Sequence, residues 1–257
     1  MILDWAEISE YLEKKLRLRT FPAALKFLKD KDDLVQLQVK KLANQVMFCQ
    51  LVTLARTYGW TVGASSEDFA EVSVVCPSIL GMIKKPPRLE DGTFRSLVWF
   101  EDQEDAKKCE DSIPTLPYGQ FQAVVLAPLR QARFEPDMIL LYGTPAQMSL
   151  LINAIQWKDY ERLQFYSVGE SACSDSVVQC FKSNKPALAV PCFGERAYGH
   201  VAEDELVLAL PGDYGEKVVR GLEGLNRRGI RYPIVQSGAQ IDPTINMPKK
   251  YLEIFKE

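Results

Sequence analysis

The residues of this chain with the widest chemical range are its six cysteines: Cys49, Cys76, Cys109, Cys173, Cys180 and Cys192. A thiolate is a nucleophile, a redox centre and a soft metal ligand. No two of the six form a C-x-x-C, which sets aside thioredoxin-like chemistry and zinc-ribbon sites. The closest pair, Cys173 and Cys180, is too widely spaced for the usual local metal loop. The single histidine, His200, excludes two-histidine zinc and non-haem iron sites. A Cys–His dyad using it competes with the reading of a loop residue after Tyr198-Gly199. No Walker loop, no G-x-G-x-x-G after a strand and no G-x-S-x-G elbow is present. Any cysteine ligand set therefore has to be gathered from distant segments by the fold. Taken one at a time, each cysteine reads more readily as buried packing.

The elements that must do this gathering follow from periodicity and caps. Trp5, Ile8, Leu12 and Leu16 predict a helix over 4–18, and 23–28 a strand. A second helix is expected over 43–58, with Met47, Leu51, Leu54 and Tyr58 as its apolar stripe and Gly59 as its stop. Residues 71–75 read as a strand ending at Cys76, with a short helix at 77–81, and 84–95 as an exposed irregular excursion. An acidic helix is expected at 101–110 and strands at 123–126 and 138–142. Thr144 and Pro145 then cap and start a helix over 145–157. Strands at 162–167, 187–190 and 205–210 and a helix at 173–182 follow. The last helix is opened by Asp213 and Glu216 at capping-box spacing, and the proline-bearing tail from Arg231 is expected to wrap the surface.

These elements predict an α/β fold, with α+β as the alternative: one domain over 1–257 with a central mixed sheet flanked by helices. Val72–Cys76 and Ala187–Cys192 echo one another as strands ending in cysteine, which raises a duplicated half-domain. Strand ends are where open α/β sheets bind ligands, and Cys173 opens a helix, where N–H groups favour thiolate. Cys49 lies off the apolar stripe on a face with Gln45, Val52, Thr53 and Arg56. Arg56 sits about two turns, ~10 Å, further on, within reach of the same site. Arg196, four residues after Cys192, is a second candidate for tuning bound charge; the bland reading of this helix face is a half-exposed surface with solvated polar residues.

Composition narrows the class. The net charge of −3 argues against a nucleic-acid partner. The amphipathic start, with Asp4, Trp5 and Glu7 after Met1–Leu3, is no secretory signal, and no stretch approaches ~20 apolar residues. A cytoplasmic protein with no membrane partner is expected, in which structural disulfides are rare.

At these residues the chain resembles domain-of-unknown-function family 169, found in archaea and anaerobic bacteria. The resemblance covers nearly the whole chain. It rests on Phe48-Cys49 with Ala55-Arg56, Cys76-Pro77 with Leu80-Gly81, Pro136-Asp137 with Pro145-Ala146-Gln147, and Pro191-Cys192-Phe193-Gly194 with Arg196. It implies a cytoplasmic protein with no assigned activity, and cysteine motifs matching Cys49, Cys76 and Cys192; Cys173 matches less distinctively, with Cys180 as its alternative. In an oxygen-avoiding lineage, four such cysteines point to an iron–sulfur cluster of the 4Fe-4S type. Cys49, Cys76, Cys173 and Cys192 are the expected ligands, with Arg56 and Arg196 beside the cofactor and Cys109, in an acidic helix, outside the set. A redox partner or small-molecule substrate is then expected, and homo-oligomers are open. Two other readings stand beside this one: a metal-free binding module for a small organic ligand or anion at the strand ends, and an enzyme with one reactive thiolate, Cys192 beside Arg196.

Overall fold

The computed structural model describes residues 4–240 and 242–254; Met1–Leu3 of the N-terminal reading lie outside them. In chain order the elements are α1 (Trp5–Leu16), β1 (Ala23–Leu28), α2 (Asp33–Gln36), α3 (Phe48–Arg56), β2 (Val62–Ser65), α4 (Val75–Ile79), α5 (Pro87–Glu90), α6 (Thr93–Ser96) and α7 (Gln103–Ser112). There follow β3 (Ala123–Pro128), β4 (Met138–Gly143), α8 (Pro145–Ile155), a π-helical turn (Ser174–Val178) running into α9 (Gln179–Ser183), β5 (Ala187–Ala189), α10 (Phe193–Ala197), β6 (Leu206–Pro211), α11 (Tyr214–Arg227) and α12 (Lys249–Ile254).

The fold is α/β, as expected, with one six-stranded sheet in the order β2-β3-β1-β4-β6-β5. Every pairing between its strands is antiparallel, so it is not the mixed sheet the sequence led us to expect. Side chains alternate between two cores. Ala23, Leu25 and Phe27 with Met138, Leu140 and Tyr142 face α3, α4 and the π-turn. Ala24, Ile139 and Leu141 face α1, α8 and α11.

The sheet is built twice from one plan. Ala23↔Pro128 through Leu28↔Ala123 pair β1 with β3; Met138↔Pro211 through Gly143↔Leu206 pair β4 with β6 in the same register. Val62 opposite Leu126 at one edge matches Ala187 opposite Ala209 at the other. The two units meet antiparallel at β1·β4, an approximate two-fold relation that keeps the faces of the sheet. The duplication suspected from the sequence is thus present in the strands, although not in the segments that drew attention to it.

Local chemistry explains most helix limits. Asp4 and Glu7 form a capping box on α1, Thr144 and Gln147 form one on α8, and Asp102 caps α7. The Asp213 side chain makes no cap hydrogen bond, so the box expected at the start of α11 does not form. α3 is shorter than expected, and Tyr58 of its proposed stripe is exposed while Phe48, Val52 and Arg56 are buried.

Two strand expectations fail. Residues 71–74 are turn and coil, and Cys76 lies in α4. Residues 162–167 form no strand, while Val62–Ser65, expected to lie in a polar loop, is β2. β-branched runs form strands only where a partner strand and a buried face exist. The segment 84–95 is not loose: it carries α5 and most of α6, with Leu89 and Arg95 fully buried. The tail from Arg231 is largely exposed and contains α12.

Candidate cysteine site

Each repeat supplies two cysteines in matching places. Before the outer strand of the first unit, Cys49 is the second residue of α3; after that strand, Cys76 is the second residue of α4. In the other unit Cys173 immediately precedes the π-turn that leads to β5, and Cys192, after β5, is the N-cap of α10. All four therefore stand at the starts of helical segments on one face of the sheet, where backbone N–H groups are unspent.

These four side chains line a single cavity of about 270 Å³. The thiol of Cys173 donates to the sulfur of Cys76 at 3.2 Å. Cys49, Cys173 and Cys192 are buried and Cys76 is half-buried. Among the described residues, no group of three or more His, Cys, Asp or Glu side chains is arranged to hold a metal ion. The thiols ring a space rather than meeting at a point.

Close packing fixes this ring. A Cβ on Gly199 would lie 2.6 Å from the Glu195 carbonyl oxygen and 3.1 Å from Cys49 Cβ, so only glycine lets the end of α10 press onto α3. Thr53 bonds the Gly199 carbonyl from the α3 side. Gly81, at φ 69°, ends the turn after α4 against the Pro117 carbonyl, where a Cβ would come within 2.4 Å. The π-turn is a form that recurs at functional sites; Ser174 Oγ anchors it to the Pro114 carbonyl at 2.6 Å.

Three of the thiols, Cys49, Cys173 and Cys192, are raised above the ordinary cysteine value. Burial pushes the Cys49 thiol far up, with Cys76 and Glu195 adding to it. For Cys173 the hydrogen bond to Cys76 comes first and burial second. Burial, then Glu195, raises Cys192, opposed by backbone hydrogen bonds from Ala172 and Glu195. Two carboxyl groups, Glu170 and Glu195, also line the cavity, and burial raises both.

Arg56 and Arg196, the expected cofactor neighbours, are not among the cavity's lining residues. Arg56 is 1% exposed, which disposes of the solvated-surface reading of its helix face. Its guanidinium lies 4.2 Å from the Tyr142 ring centre, Nη1 reaches Glu205 at 3.3 Å and Nη2 donates to the His200 carbonyl at 3.1 Å. Tyr142 in turn donates to Glu195 at 2.7 Å, so Arg56 acts on the cavity from behind, through two side chains. Arg196 donates to the Ala202 carbonyl. Cys180 is buried in the core and Cys109 packs beside it, both outside the cavity; His200 is exposed.

Sequence reasoning missed Glu170, Glu195 and the group behind them. Arg95, 0% exposed, bonds Glu110 and Glu170, each at 2.6 Å, and Ser171 Oγ at 3.1 Å; Lys85 closes on Glu110 at 2.6 Å. This buried ion network clamps the residues that lead into Cys173. An arginine within a four-residue helix offered no periodic signal by which to find it.

No described helix is long and apolar enough to cross a membrane. No solved structure matches the chain. It is similar to an uncharacterised protein, MJ0308, of Methanocaldococcus jannaschii, 27% identical over 230 residues that span 86% of this chain and 96% of the relative. The family model of domain-of-unknown-function family 169, described as uncharacterised ArCR, matches residues 11–221. With four-fifths of its length under that match, including all four cavity cysteines, the chain belongs to domain-of-unknown-function family 169.

Proposed function

We propose that the cavity holds an iron–sulfur cluster of the 4Fe-4S type through Cys49, Cys76, Cys173 and Cys192, in a redox or cluster-based catalytic role. One observation carries this reading: four thiols far apart in the chain line one cavity. The donor set fits, since all-thiol sites suit soft metals and iron–sulfur clusters rather than magnesium or calcium. A ring of thiols is also what a group wider than one ion requires. The raised thiols of Cys49, Cys173 and Cys192 are protonated, so loading releases protons as these sulfurs become ligands. The Cys76–Cys173 contact must open for the two to serve different irons. When bound, the cluster would supply one-electron chemistry, or a Lewis-acidic iron if only three of the cysteines held it. The chain's own part is to hold it, to hydrogen-bond the Cys192 sulfur from Ala172 and Glu195, and to keep water out with Phe48 and Val75. Protein purified or reconstituted without oxygen is expected to contain about four iron and four acid-labile sulfide per chain, with broad visible absorption. Colourless, metal-free protein after reconstitution would defeat the reading.

A second reading rests on the 3.2 Å contact between Cys173 and Cys76. Such a pair can act as a dithiol: a low-molecular-weight disulfide accepts two electrons and two protons, leaving as two thiols, while the Cys76–Cys173 S–S bond forms. Metal-free protein treated with oxidised glutathione is expected to show this one bridge in peptide mapping, and Cys76→Ser to lack it. Scattered bridges, or mixed disulfides that never resolve, would count against the pair.

A further inference from the structure

We propose that the mouth of the cysteine cavity binds a small organic cation of the alkylammonium type. The inference rests on this cavity being the working site, not on which group the thiols hold. Glu170 and Glu195 are each held by one carboxyl oxygen only. Arg95 Nη1 takes Glu170 Oε2 at 2.6 Å, and the Tyr142 hydroxyl takes Glu195 Oε1 at 2.7 Å. The other oxygens, Glu170 Oε1 and Glu195 Oε2, are buried with no hydrogen-bond partner. Both side chains are nine-tenths or more buried. Buried carboxyl oxygens left without a partner are costly, and each calls for an explanation, a bound group among them.

The cavity lining holds no lysine, arginine or histidine among the described residues, so no basic side chain within it faces the two carboxyl groups. Arg95 and Arg56 reach those carboxyl groups only from behind. A positive centre that meets the two carboxyl groups from the cavity side has to come from outside.

The outer wall tells which kind of cation. Trp99 and Phe193 lie with ring centres 5.6 Å apart and planes tilted by 60°, and both remain half-exposed, with Phe94 and Tyr198 beside them. Aromatic faces attract cations through the ring quadrupole, most effectively those that shed water easily. A hard metal ion needs oxygen ligands that these rings cannot give, and an anion would meet the carboxyl groups. An ammonium centre with alkyl groups satisfies both walls. A cavity of about 270 Å³ limits it to a small molecule.

The full chain, metal-free and reconstituted, is to be titrated by calorimetry with tetramethylammonium, with pivalate as an anion of similar shape and with tert-butanol as a neutral one, at matched salt. Tetramethylammonium is expected to saturate one site at least roughly tenfold more tightly than either control. Trp99→Ala, at a half-exposed position, is expected to weaken it about tenfold with an unchanged thermal transition, and Glu170→Gln, which keeps an oxygen for Arg95 but takes a charge from the buried ion network, to weaken it about tenfold with a lowered transition. No saturation by tetramethylammonium in either form, equal binding of all probes, or variants that bind like the parent would overturn the proposal. Iron content is measured separately. A metal-free chain that binds the cation keeps this inference while the cluster reading falls, and a loaded chain that ignores it does the reverse.

Discussion

Cys192→Ser protein, reconstituted without oxygen, is expected to lose the visible absorption of the parent and to retain less than roughly a tenth of its iron. Cys192 is the N-cap of α10, and the amides of Ala172 and Glu195 already converge on its sulfur. A serine oxygen there is a harder, more basic ligand and matches iron–sulfur chemistry poorly. Cys49→Ser and Cys173→Ser should behave alike, because the two-fold plan gives each repeat equal responsibility for the ring. Cys180→Ala is the control: it is equally buried but outside the cavity, so it should keep full iron and lose only about 1 kcal/mol of stability in urea unfolding. If Cys180→Ala bleaches the protein and Cys192→Ser does not, the ligand set is wrong.

The second large effect concerns Arg95. Arg95→Met is expected to cost about 3–5 kcal/mol in urea unfolding, the usual range when one partner of a buried ion network is removed. Its guanidinium is the shared partner of Glu110 and Glu170, which are 1% and 9% exposed in their side chains. Lys85 would remain on Glu110, but Glu170 would be left without its cation. The loss should reach the cavity, since Glu170 and Ser171 lead directly into Cys173. A triple replacement of Arg95, Glu110 and Glu170 by apolar residues should recover part of the stability, because an intact buried ion network contributes little over good packing. By contrast Lys107→Ala breaks an exposed pair with Asp111 and should change stability by less than about 1 kcal/mol. A similar small change for Arg95→Met would mean that the carboxyl groups find water or neutralise without cost.

The elements read correctly from the sequence are those whose cause is local. α1 and α8 announce themselves through caps three residues apart and an apolar stripe on one face, which short-range hydrogen bonds and burial enforce together. β3 and β4 are short, continuous apolar runs with turn residues around them, the pattern of a strand buried on both faces. The segment before Cys76 fails for the opposite reason. Its valines suit a strand, but no neighbouring strand offers them hydrogen bonds, and α4 follows at once.

The sequence by itself determined the inventory: six cysteines, one histidine, no phosphate loop, and the α/β alternation that could bring distant thiols together. It also marked Cys49, Cys76, Cys173 and Cys192, on motifs rather than on spacing. Only the tertiary structure decided that these four share a cavity, that Cys180 does not, and that Arg56 turns away toward Glu205. Cys76 and Cys173 touch across 97 residues of chain, a separation that no periodicity encodes. The contact is set by the register of β1 on β4 and by the helices that each repeat lays on the same face of the sheet, and those are properties of the assembled chain, not of any segment of it.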